Sequence, residues 1–90
     1  MIRSIHAHVR VGAPPQVRGP VTVRYEQHDQ HWHGSFDLPP RTPMLDVIGQ
    51  IAFVVNNVDV ARATVGQITI LGASKARVMF HGSGSPPADD

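Results

Sequence analysis

The chain has 90 residues, no cysteine and a net charge of +1. That length suits one domain with a modest core, and the missing thiols exclude disulfide staples, thiolate catalysis and cysteine-built zinc sites. The longest apolar run, Ile51-Ala52-Phe53-Val54-Val55, is far too short for a membrane-spanning helix.

Arg3, His6, His8 and Arg10 interrupt any signal-peptide pattern near the N-terminus, so the expectation is a cytoplasmic protein with no membrane partner. Without Asp89 and Asp90 the body carries eight basic and five acidic residues. The arginines are scattered, with no basic stripe interleaved with aromatics, and this speaks against a nucleic-acid partner.

The segment from Ser4 to Val11 alternates strictly. Ile5, Ala7, Val9 and Val11 share one face, while Ser4, His6, His8 and Arg10 share the other, which is the period of a half-buried strand. Gly12-Ala13-Pro14-Pro15 stops it, and the run to Gly19-Pro20 reads as loop. The second strand is Val21 to Glu26, with Val21, Val23 and Tyr25 inward. A polar turn, Gln27-His28-Asp29-Gln30, leads to a third strand from His31 to Leu38. There Trp32, Gly34, Phe36 and Leu38 take one face, and His31, His33, Ser35 and Asp37 the other. Two alternating runs with a short polar connection predict a hairpin.

Thr42-Pro43 then resembles a helix start, a hydroxyl N-cap followed by proline. Met44, Leu45, Ile48, Ile51, Ala52 and Val55 follow the spacing of one helical face, and Asn56-Asn57 offers a stop. Gly49 and the β-favouring Phe53-Val54-Val55 leave strand open as the alternative over residues 43–57. Val58 to Arg62 reads as a short strand or loop. Val65 to Leu71 reads as a strand with Ile68 and Ile70 buried. Ala76 to His81 forms the last strand, with Val78 and Phe80 inward. The expected fold is α+β, a mixed four- to five-stranded sheet with one helix packed on one face, in the order β-β-β-α-β-β. Residues 1–81 form the domain and residues 82–90 a flexible tail.

Six histidines are the chemical feature that stands out. His6-x-His8 and His31-x-His33 each place two imidazoles on one polar strand face. If the two strands are neighbours, four rings converge into a site for zinc, nickel or copper, with His28 and Asp29 as further ligands. The alternative is that these are ordinary solvated strand residues. Ser35, Asp37 and His33 lie too nearly on one strand face for a nucleophile-base arrangement. There is no phosphate loop and no evident acid/base pair, so the chain reads as a non-enzyme with no cofactor unless a metal is held by the histidines. A second apolar stripe beside the helical core face, Val47, Val54, Val58 and Ala61, points either to a wide core face under a curved sheet or to contact with a protein partner or a second copy, with Val47, Val54 and Val58 as the interface candidates.

The run Phe36-Asp37-Leu38-Pro39-Pro40-Arg41-Thr42-Pro43-Met44-Leu45-Asp46-Val47-Ile48, following a hairpin, resembles the entry to the helix of ubiquitin-like β-grasp domains. The resemblance spans residues 21–55 and is a pattern rather than a signature. It implies a β-grasp-like fold and a non-enzymatic protein-interaction module. With the tail glycines Gly82 and Gly84 as candidate processing points, it further implies a protein-modifier precursor. The terminal glycine pair of such modifiers is missing here, and the first strand is an addition to the grasp. Two other readings stand beside it: a small histidine-based metal-binding protein, and a structural subunit of a phage or other multimeric assembly.

Overall fold

A computed structural model describes residues 2–12, 14–29, 31–38, 47, 49–72 and 75–87. Six strands follow in chain order: β1 (Ile2–Val11), β2 (Gln16–His28), β3 (His31–Asp37), β4 (Gln50–Val55), β5 (Val58–Gly72) and β6 (Lys75–Ser83). They close into an antiparallel barrel in the order β1-β2-β3-β6-β5-β4. Two three-stranded meanders, β1-β2-β3 and β4-β5-β6, are therefore joined edge to edge. β3 pairs with β6 from His33↔His81 to Asp37↔Arg77, and β1 pairs with β4 from His8↔Val54 to Arg10↔Ala52. Joining both edges leaves the sheet closed on itself, which removes the exposed edges of an open sheet over the paired lengths.

The α+β expectation is overturned: among the described residues there is no helix, and the fold is all-β. The β-grasp-like architecture implied by the resemblance is corrected with it. The expected helix over residues 43–57 gives way to β4 in its second half. Asn56 and Asn57, read as a helix stop, are instead the two-residue loop of the β4–β5 hairpin. Their φ angles are 53° and 64°, and Val55 pairs directly with Val58. Positive φ at both central positions is what a type I′ hairpin turn requires, and asparagine tolerates it better than most residues. Gly49, at φ 77°, sits just before the strand in a conformation that does not propagate a helix. Met44, Leu45 and Ile48, the start of the expected helical face, lie outside the described residues.

β4 misled the periodicity because both of its faces are covered. Ile51 and Phe53 enter the core, while Ala52 and Val54 lie on the opposite face and are buried as well. There the Arg10 side chain of β1 reaches Asp59 of β5, with one guanidinium nitrogen 2.6 Å from each carboxylate oxygen. Arg10 is register-paired with Ala52, and Val54 with Asp59, so the ion pair spans these two small apolar residues. A strand apolar on both faces has no period-2 signal, and four consecutive apolar residues match a helix segment as well as a strand.

The long central strands, β2 and β5, bend to serve both halves of the barrel. β2 carries an extra residue where Gly19-Pro20 stands opposite His8 alone, and β5 carries extra residues at Val60, Gly66 and Leu71. Each is a β-bulge, which sharpens local twist and turns the strand. The bulge at Gly66 shifts parity along β5, so Ala61, Ala63 and Val65 face the core before it and Ile68 after it. Ile70, expected inside, is 67% exposed.

All five aromatic residues meet in the core. Phe53 and Phe80 have ring centroids 5.0 Å apart, and Trp32 makes edge-on contacts with Tyr25 at 5.8 Å and Phe80 at 5.7 Å. Val9, Val23, Val47 and Val78 fill in around them. The two buried polar aromatics find partners in the C-terminal segment: Trp32 Nε1 donates to the Gly84 carbonyl and Tyr25 OH to the Pro87 carbonyl, each at 3.1 Å. Buried Trp and Tyr need such partners, so the chain between these residues is held across one end of the barrel. Glycine is required at two places. A Cβ on Gly34 would strike the backbone of Arg24 and Tyr25, and one on Gly82 would overlap the Trp32 indole.

Candidate metal centre

The outer face of the β2–β3 hairpin carries the densest cluster of ligating side chains among the described residues. Strand alternation sends Trp32 and Tyr25 inward and leaves Glu26, His28, His31 and His33 outside. The hairpin closes on a two-residue loop, since His28 pairs with His31. Asp29 takes the positive φ, 56°, that such a loop demands. That register sets Glu26 opposite His33. Directly opposed side chains of an antiparallel pair lie within reach of each other, and long diagonal neighbours also meet.

The ligand atoms of Glu26, His28 and His33 all lie within 4.8 Å of one another. His28 Nε2 is 3.4 Å from Glu26 Oε2, and the His28 and His33 rings stack with centroids 5.8 Å apart at 19°. Glu26 is half-buried, and the two histidines are exposed. Ligand atoms around a tetrahedral metal with bonds of about 2.1 Å stand about 3.4 Å apart. Closing from 4.8 Å is within reach of side-chain rotation at the two exposed histidines. Two imidazole nitrogens and a carboxylate oxygen suit zinc, nickel, cobalt or copper(II), and three protein ligands leave further positions open.

The four histidines expected to converge do not. β2 lies between β1 and β3, so the two His-x-His strands are not neighbours. His6 pairs with Thr22, whose Oγ1 is 3.2 Å from His6 Nδ1. Thr22 stands four residues, about 13 Å, along β2 from Glu26. His8 pairs with Val54 and lies against Gly19. Of the expected set, His33 is in the cluster, His31 flanks it through its pairing with His28, and His6 and His8 are elsewhere. The sequence points to His28 as an added ligand but marks Glu26 only as the end of the second strand. The missing signal was register: a two-residue loop at 29–30, in place of a four-residue turn, sets Glu26 opposite His33.

The other expected positions are equally resolved. Val47 and Val54 are buried, at 0% and 4% exposure, and only Val58 of the proposed interface stripe is open to solvent. Val47 and Val54 therefore serve the barrel itself and not a partner surface. Gly82 lies within β6 beneath Trp32, and Gly84 accepts the Trp32 N–H. Asp37 is ion-paired with Arg77 at 3.0 Å on the same outer surface as Ser35. No described helix is long and apolar enough to cross a membrane. No protein-family model matches the chain, and no curated protein or solved structure matches it.

Proposed function

We propose that this barrel is a binding module for a divalent transition metal, held by Glu26, His28 and His33 on the outer face of the β2–β3 hairpin. The observation that carries the reading is the mutual approach of the three ligand atoms to within 4.8 Å. The half-buried carboxylate beside two imidazoles adds the negative charge that favours a cation. The ligands stand on paired strands joined by a tight loop, which holds their backbones in fixed relation. Titration calorimetry of tag-free protein with zinc and nickel chloride tests it. Stoichiometric binding by the native chain, lost in His33→Ala and in His28→Ala but retained in His8→Ala, is the expected result. Absence of stoichiometric binding by the native chain refutes the reading.

A second reading, contact with protein, is supported by Ile70 and Leu71, neighbours on β5 that are 67% and 47% exposed. Sedimentation of native protein and of Ile70→Ser tests it: a concentration-dependent dimer abolished by the substitution supports it, and a monomer at all concentrations removes self-association.

A further inference from the structure

The three-ligand cluster has a neighbour that neither chain spacing nor the cluster itself includes. His81 stands on β6 directly opposite His33 of β3, so Glu26, His33 and His81 form one row across three adjacent strands. All three point outward, since Phe80 and Trp32 beside them point into the core. Neighbouring strands are about 4.8 Å apart, which places both flanking side chains within reach of a cation seated over His33. His28 reaches the same point from the adjacent position of β2.

In the structure the His81 ring lies away from the cluster, against Gly66 of β5. A Cβ built on Gly66 would stand 3.3 Å from its Cδ2 and Nε2 atoms. Gly66 is the extra residue of a β-bulge, and its missing side chain is what lets the ring rest this close to the strand. His33 and His81 border a common hollow with Gly34, Gln67 and Met79. His81 is exposed, and nothing among the described residues hydrogen-bonds its ring, so rotation toward His33 breaks no described contact of that kind.

We infer that His81 is the fourth ligand of the metal centre, swinging from its resting place on Gly66 to complete a three-histidine, one-carboxylate set. This rests on the metal-binding reading above. The completed set is all nitrogen and oxygen, and it selects zinc(II), nickel(II), cobalt(II) or copper(II) over copper(I), which prefers sulfur ligands. Glu26 and His28 come from β2, His33 from β3 and His81 from β6, so the bound ion links the two meanders across the β3–β6 seam.

The test is calorimetric titration of tag-free protein with nickel chloride, with the His81 ring followed by NMR. Native protein, His81→Ala and His8→Ala are compared. The expected result is one site per chain, with affinity lowered at least about tenfold in His81→Ala, a loss that even an outer-shell partner produces. His8→Ala leaves affinity unchanged, and the His81 ring signals of native protein broaden on addition of the metal. Equal melting temperatures of metal-free native protein and His81→Ala show that the loss is not one of folding. Unchanged affinity in His81→Ala, with binding still lost in His33→Ala, overturns this inference and leaves the three-ligand site standing. No binding by native protein overturns both.

Discussion

Replacing Gly82 with alanine probes how tightly the C-terminal strand is fitted to the core. The added methyl would occupy space held by the Trp32 indole, overlapping its Cε2, Cδ2 and Nε1 atoms. Trp32 is 2% exposed and walled in by Tyr25, Phe53 and Phe80, so the ring has no free volume to enter. Overpacking of this kind costs about 1–3 kcal/mol. Tilting the indole also breaks its hydrogen bond to Gly84, about 1 kcal/mol, and disturbs two edge-on ring contacts worth about 0.5–1.5 kcal/mol each. These effects share one ring and overlap, so the expected loss is about 3 kcal/mol. In a domain of this size that lowers the melting temperature by more than about 10 °C. Urea unfolding followed by circular dichroism measures it, and the single tryptophan reports its own displacement by fluorescence. Gly84→Ala is the control: its φ is 71° but nothing lies within 4 Å of the new Cβ, so backbone strain alone costs about 1 kcal/mol. A Gly82→Ala protein within about 1 kcal/mol of native, with unshifted tryptophan emission, refutes the packing argument.

Phe53→Ala removes the ring that meets Phe36, Phe80 and Trp32, and is expected to lower stability by about 3–5 kcal/mol in the same urea assay. At the β4–β5 turn, Asn57→Val forces a branched side chain into φ 64° and is expected to cost about 1–3 kcal/mol, whereas Asn57→Gly leaves stability level or higher. Asp59→Asn breaks a partly exposed ion pair with Arg10 and is expected to cost less than about 1 kcal/mol, a difference that shrinks in high salt.

The opposed fates of Val11 and Val54 show what could be read in advance. β1 was legible because each inward residue alternates with a polar one, and that contrast exists in the sequence itself. The same held for Tyr25, Trp32, Phe36, Val78 and Phe80, all inward as the period predicts. β4 was not legible. Val54 is buried on the face turned away from the core, beneath a contact between Arg10 and Asp59 that lie 49 residues apart, and no local pattern records such a cover.

The sequence by itself determined strands over residues 4–11, 21–26, 31–38, 65–71 and 76–81, placed His6, His8, His31 and His33 on outward strand faces, and closed off thiol chemistry. Those properties follow from side-chain alternation and composition, which are local. Only the tertiary structure decided that the strands close into a barrel and which histidines meet. Register and strand order depend on pairings between distant segments. One intervening strand separates His6 and His8 from His33, while the β3–β6 seam brings His81 to its side from 48 residues away.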